Sequence, residues 1–527
     1  MMVLDFRVLG LLLVSLTLIL LQQYFKRRFN LQADERFAIA NGCQPLRQWK
    51  STWPLGLDLL QMAFFYERKQ QILKFFLDVI AESGTTFEQN LLFARGIDTI
   101  EPRNIQAVLS TQFSDFGLGQ RPPIFDPLLG SGIFTQDGEQ WRHSRELMRP
   151  QFMSNRMTNF EQIKDAVDSL IDSITDDEIV DLQPLFFRLT FETTLFLLFG
   201  QHLPSLKSQG ITGRESDFAN AFNLGQDYLA KRGRLGDFWW LWGGKEFQEV
   251  CKTCHEFVDG AVQKALEHSA LTRSDHPDQS HDTEAHPYVF IDALVEQTRD
   301  PSVLRAQCLN ILLAGRDTTA CCLTWTLRLL VQHPDVLSKL RAEIRDTVGI
   351  GPGSSAPTLS QLKTLTYLSL VLKEVLRLYP SVPVNSRAAT KTTTLPTGGG
   401  PSGTSPIFVR KGESVGYCVY AMHRRKDIYG DDAEEFRPER WEGDALKNVG
   451  WGYLPFNGGP RVCLGQDFAL LEAGYTVVRL LQTFEVIEMA EGFGAKVGDE
   501  KQVLTLVVAC GDGCSVSMGR YAGMGEK

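Results

Sequence analysis

The chain has 527 residues, a formal net charge of -9 and ordinary globular composition, with 43% hydrophobic residues. Its acidity and lack of a basic stripe exclude a general nucleic-acid binder, and ten cysteines spread over this length exclude a disulfide scaffold. With no N-x-[ST] glycosylation sequon and paired cysteines such as Cys321 and Cys322 in apolar sequence, a reduced, cytosol-facing compartment is expected.

Residues 8–21 form an apolar run broken by Ser15 and Thr17, extendable to Phe25 and followed by Lys26, Arg27 and Arg28. Positive charge after the run predicts a membrane anchor with the bulk of the chain in the cytosol. A cleaved signal peptide is the rival, but no small-x-small site follows and Asp5 sits beside Arg7 in the leading segment. The expected division is an anchor at 1–30, a connector at 31–50 and one helix-rich domain at 51–527.

Amphipathic helical patterns cover 155–174, 247–268, 303–333 and 359–378. Residues 269–288 are polar, His-rich and aperiodic, which predicts a solvated surface loop rather than a metal site. Within 247–268, Cys251-Lys252-Thr253-Cys254-His255 matches the c-type haem attachment pattern; its place in an amphipathic helix marks a coincidence. After Pro380 the pattern shifts to short β-like runs, including 406–423. The break TGGGPSGTS at 397–405 has phosphate-loop glycine spacing, but Thr404 stands where a lysine is needed, so a hairpin turn is expected.

The segment FNGGPRVCLG at 456–465 carries the most chemistry. Phe456 offers an apolar wall, Gly458 and Gly459 allow a tight turn and close approach of a flat ligand, and Arg461 adds a cation. Gly465 leaves room behind Cys463, whose sulfur precedes a helical run and gains from its N-terminal dipole. The spacing F-x-x-G-x-R-x-C-x-G resembles the haem-ligand loop of the cytochrome P-450 monooxygenases, which makes Cys463 the expected thiolate ligand of haem iron.

Such chemistry also requires a distal helix. In AGRDTT at 314–319, the Thr318 hydroxyl can bond back to the Ala314 carbonyl, Gly315 removes a side chain that would crowd O2, and Asp317 with Thr318 forms an acid-alcohol pair for proton relay. Glu374 and Arg377, one helical turn apart, can form an ion pair. The resemblance adds Arg440 to them as a buried structural triad, with Trp441 replacing the family's usual Phe. It also matches Trp141 and Arg145, i and i+4 in GEQWRHSRELMRP, together with Arg387 and Arg461, to partners of the haem propionates.

The motifs occur in family order from about residue 100 to 515, and 385–401, 420–441 and 454–469 are similar to the fungal alkane and fatty-acid terminal hydroxylases. The resemblance implies a mainly α fold with a small β region, the cytochrome P-450 fold, preceded by an N-terminal transmembrane helix. It implies haem b, O2 as co-substrate, and electrons from NADPH through a membrane-bound reductase, with cytochrome b5 as a further partner, at the endoplasmic reticulum membrane. Some members esterify haem through a glutamate at the place of Ala314, so noncovalent haem is expected. Leu118, Ile124, Phe125, Leu129, Ala314, Val382 and Val384 are expected to line an apolar substrate cavity, and Asn310 falls in a lining segment. Tailoring of a secondary metabolite, a reductase-independent haem-thiolate isomerase or dehydratase, and a haem-free membrane protein are the competing readings.

Overall fold

The computed structural model describes residues 32–523 except 92–93, 155, 177, 201–213, 276–288 and 493. The expected anchor at 1–30 and most of the His-rich loop lie outside the described residues. The principal helices are α1 (Leu57–Arg68), α2 (Ile72–Ser83), α3 (Gly138–Ser154), α4 (Arg156–Asp172), α5 (Leu182–Phe199) and α6 (Arg214–Arg234). They continue with α7 (Lys245–Asp275), α8 (Pro301–Gln332), α9 (Leu359–Thr364), α10 (Thr366–Leu378) and α11 (Gln466–Thr483).

Helix α8 runs through the centre and is buried on nearly every face between Leu304 and Leu330. Asp300 starts it by accepting from the Ser302 N–H, with Pro301 in the first turn, and the His333-Pro334 dipeptide ends it. Its main neighbour is α5, an apolar helix capped by Asp181 and closed by Gly200 at φ 62°. Length and composition would let α5 cross a membrane, but most of it is buried inside the protein, as a core helix should be.

Two predicted boundaries differ for physical reasons. The pattern at 359–378 is two helices, because Leu365 departs from helical geometry at ψ 86°. Glu343 caps the restart by accepting from the N–H groups of Tyr367 at 2.7 Å and Leu368 at 3.0 Å, a partner that periodicity cannot reveal. Helix α7 continues to Asp275 and so takes up the beginning of the predicted loop. The segment 31–50 is also more ordered than a connector: residues 32–40 are helical, and Asp34 accepts from Arg410 Nε at 2.6 Å.

The β region has strands β1 (Thr86–Leu91), β2 (Ala94–Thr99), β3 (Phe116–Gly117), β4 (Val384–Ala389), β5 (Thr393–Gly399), β6 (Ser405–Val409) and β7 (Ser414–Cys418). A five-stranded sheet has the order β1-β2-β7-β4-β3, with β2 and β7 parallel. Strands β5 and β6 form the expected hairpin, its glycine turn closed by Gly398 N–H to Gly403 O at 2.7 Å. After β7 the chain enters a short helix, Val419–Met422, rather than continuing as strand.

Glu374 and Arg377 meet on α10 as their spacing predicts, through two 2.8 Å hydrogen bonds. Arg440 Nε donates to the same carboxylate at 3.2 Å, and all three side chains are buried. Trp441 has a role phenylalanine could not fill: its Nε1–H donates to Glu374 Oε2 at 2.9 Å. The triad thus joins α10 to the segment around 440, beside the chain that leads to Cys463.

Candidate haem-thiolate site

The loop before α11 is shaped mainly by its own packing. The Cys463 N–H donates to Phe456 O at 3.0 Å, closing the loop, and Asn457 takes φ 61° while its Nδ2 donates to Arg461 O. Gly459 has φ 66°, and a β-carbon there would fall 2.0 Å from Leu109 O. At Gly458 a β-carbon would meet the Trp451 ring at 2.5 Å. The two glycines therefore admit neighbouring protein rather than a flat ligand, and Gly459 is not part of the cavity wall. Gly465 does line the cavity; a β-carbon there would make only ordinary contact with Phe152, at 3.5 Å.

A cavity of about 1410 Å³ spreads from this loop to α8 and the five-stranded sheet. Phe456 and Cys463 are in its wall, so the accessible face of the cysteine opens into the cavity although the residue sits deep in the protein. Burial pushes the thiol up, while the Gly465 backbone and Arg145 act in the opposite direction. Metal coordination would supply the larger charge needed to hold a thiolate there.

Four arginines gather on one side of the cavity. Arg145 Nη2 donates to Val462 O at 2.9 Å, and Arg461 pairs with Asp137 at 2.7 Å while lying 4.3 Å from the Trp141 ring centre. Arg387 and Arg121 both donate to Asn385 Oδ1, at 3.1 Å and 2.5 Å. Burial first, then repulsion from Arg387, lowers Arg121 to about 9 and Arg461 to about 10. So many cations with so little compensating acid suit an anionic guest such as the two haem propionates. Trp141, Arg145, Arg387 and Arg461 are brought together as expected; Arg121 was missed because it is 266 positions from Arg387 in sequence.

On α8, Thr318 Oγ1 donates to Ala314 O at 2.7 Å, the bond anticipated from the sequence, and both residues line the cavity. Its neighbours differ from expectation. A β-carbon on Gly315 would meet Thr194 Oγ1 at 2.6 Å, so this glycine permits close approach of α5. Asp317 is outside the cavity wall: one residue turns about 100° on a helix, and its buried carboxylate bonds to Gln226 of α6, with Arg316 at 3.3 Å. Burial pushes its carboxyl up. Sequence adjacency therefore did not make Asp317 and Thr318 a pair facing one space.

Glu472 on α11 is another group the sequence did not single out, since it lies in an apolar helical pattern. It is fully buried, accepts from Thr193 at 2.5 Å and from Thr319, and burial raises it to about 7. Thr319 reaches the cavity wall, so Glu472 can hold a proton one residue behind it.

Leu118, Ile124, Phe125, Ala314, Val382 and Val384 line the cavity as expected. Leu129 does not; it is fully buried in the core, and its carbonyl accepts from Asn310 Nδ2 at 3.1 Å. Asn310 is likewise turned away, donating also to Ala306 O and accepting from the Phe134 N–H. In the c-type haem look-alike, burial raises Cys251 to about 11 and Cys254 to about 12, and His255 Nε2 bonds to Leu128 O, so these side chains serve packing.

The cytochrome P450 family model matches residues 52–505. The chain belongs to the cytochrome P450 family. A relative named Cytochrome P450 from Arthroderma benhamiae is 69% identical over 513 residues, covering 97% of this chain and 99% of its own. Cytochrome P450 52A5 of Candida maltosa is 46% identical over 445 residues, covering 82% of each chain. The fold also matches a solved cytochrome P450DA heme domain, with TM-score 0.73 and 20% identity, over 91% of this chain and 98% of the other. The enzyme is accordingly a cytochrome P450 monooxygenase, and its cysteine, arginine cluster and distal threonine fit haem.

Proposed function

We propose that this P450 hydroxylates an apolar chain, preferably the terminal carbon of a long-chain alkane or fatty acid, with O2 and NADPH-derived electrons delivered by a membrane-bound reductase, assisted by cytochrome b5. One observation carries the reading: a single large, mainly apolar cavity has Cys463 in its wall together with Ala314 and Thr318 of α8. Haem held by Cys463 supplies oxygen activation and C–H oxidation. Cys463 would ligate its iron, and Trp141, Arg121, Arg145, Arg387 and Arg461 would hold its anionic edge. Ala314 offers no carboxylate for an ester, which supports noncovalent haem.

Thr318 donates to Ala314 O at rest and can turn its hydroxyl toward a cavity guest, passing a proton from the interior. Asp317 stands behind it as an acid kept near Arg316 and Gln226 rather than as a direct donor. Apolar side chains at Leu118, Ile124, Phe125, Val382 and Val384 bind the chain and exclude water. The relatives named 52A5, 52A13 and 52A6 support membership in the lipid-hydroxylase group that the sequence resembles.

Membrane attachment at the endoplasmic reticulum, with the catalytic domain in the cytosol, belongs to the same proposal. It rests on the apolar run at 8–21 and on exposed Phe64, Phe65, Trp240, Leu241 and Trp242. Arg234, at the end of α6, pairs with Glu67 on α1 and links these two exposed stretches. The test is turnover of dodecane and dodecanoate by the full-length protein with NADPH and reductase under isotopically labelled O2. Terminal alcohol containing the label is expected; conversion that needs neither reductase nor O2 would favour an isomerase instead.

A further inference from the structure

Arg234, in the last turn of α6, reaches across the rim of the cavity to two other segments. Its Nη1 donates to Glu67 of α1 and its Nη2 to the backbone carbonyl of Leu504, and all three residues line the cavity. Those partners place the guanidinium between α6, α1 and the hairpin of Gln502–Leu504 and Val508–Cys510. The two partners differ in how firmly they are held. Trp325 Nε1 donates to Val508 O at 3.1 Å, the Val508 N–H donates to Ser381 O at 3.1 Å, and the Gln183 amide bonds both the N–H and the carbonyl of Cys510. Leu504 therefore belongs to a hairpin tied to the core. The Glu67 side chain is 39% exposed, and among the described residues its carboxylate bonds only to Arg234. Lys231, one turn earlier on α6, is already taken by Asp227 at 2.6 Å.

An ion pair this exposed is weak, so Glu67 can exchange Arg234 for water at little cost. The guanidinium, still held through Nη2 by Leu504, then presents Nη1 to another carboxylate. Phe64 of α1 and Trp242 are both exposed and both line the cavity, so the same rim offers apolar surface to an acyl chain. We propose that Arg234 is a specificity residue that takes the carboxylate of a long-chain fatty acid in exchange for Glu67, so that the methyl end enters the cavity first. This rests on the lipid-hydroxylase reading above and divides its two substrates, because the acid gains a charge-assisted bond that an alkane has no group to make. An anchored carboxylate also fixes how far the chain reaches toward Cys463 and Thr318, which favours oxidation at one carbon.

The test is the substrate-induced Soret shift of the full-length holoprotein with dodecane, dodecanoate and methyl dodecanoate, in wild type, Arg234→Leu, Arg234→Lys and Glu67→Gln. Each variant is first checked for the reduced carbon-monoxide band. The affinity for dodecanoate relative to its uncharged ester should fall about fivefold in Arg234→Leu, the scale of one half-exposed ion pair. Arg234→Lys should keep part of that ratio, and Glu67→Gln, which removes the competing carboxylate, should raise it. Under turnover, Arg234→Leu should spread hydroxylation of dodecanoate from the terminal carbon to its neighbours. Equal changes for all three ligands in Arg234→Leu, an unchanged ratio, or a ratio that falls in Glu67→Gln would reduce Arg234 to a brace between α6 and α1; each overturns the inference and leaves the lipid reading standing. No shift with any of the three in a wild type with an intact carbon-monoxide band overturns the lipid reading itself, and this inference with it.

Discussion

Thr318 and Glu472 show how individual side chains set the chemistry of the cavity. Thr318 keeps its hydroxyl on Ala314 O within one helical turn, so Thr318→Ala should leave the carbon-monoxide spectrum intact while NADPH consumption is diverted from product. Simultaneous measurement of NADPH use and hydroxylated product checks this, and full coupling in the variant would refute the relay. Glu472 is raised to about 7 from an ordinary 4.5, so it is protonated in the fold at pH values where the unfolded chain has already ionised. The folded state then binds more protons, and stability falls as pH rises from about 4.5 to about 7. Glu472→Gln should accordingly stabilise the protein by up to about 3 kcal/mol at pH 8 and by much less at pH 5, read from urea unfolding at both values. The places of Cys463 and Thr318 on one cavity were legible because each lies in a short motif set by local spacing. Gly315, Gly459 and Asp317 were misjudged because Thr194, Leu109 and Gln226, which determine their surroundings, come from distant segments.

At the scale of elements, partners remote in sequence decide where helices stop and how the frame is tied. Periodicity located α8 and the start of α7 well, since a long apolar stripe reflects burial along the element itself. It could not find the break between α9 and α10, which depends on Glu343. Glu343→Ala should cost about 1 kcal/mol by removing that cap, measured as a lowered urea midpoint at unchanged slope. The Glu374, Arg377 and Arg440 cluster is more demanding, because each partner neutralises a charge with no access to water. Arg377→Met should destabilise the fold by about 3–5 kcal/mol and reduce haem retention, whereas Trp441→Phe, losing one donor to Glu374, should cost about 1–2 kcal/mol. Equal losses in the two variants would contradict the view that charge compensation dominates there.

Across the whole molecule, the cavity runs from the cysteine loop toward the exposed aromatic stretch. The arginines and Cys463 face it from one side, while α1 and the end of α6, with Arg234 bonded to Glu67, border it near the exposed aromatic stretch. If that stretch enters lipid, brominated lipids should quench the tryptophan fluorescence of the vesicle-bound full-length protein, and replacing Trp240 and Trp242 by Phe should remove much of the quenching. Unchanged quenching would mean that this face stays in water. The mainly α architecture and hairpin were readable from sequence because they follow from pattern and turn chemistry. Arg121 was not, since only the folded sheet brings it to the cavity.

The reduced carbon-monoxide difference spectrum of the full-length protein and of Cys463→Ala tests the central claim most directly. Wild type should give the thiolate-type Soret shift, and the variant should lose it while remaining folded by circular dichroism. A wild type without that band, or a variant that retains it, would contradict ligation of haem iron by Cys463.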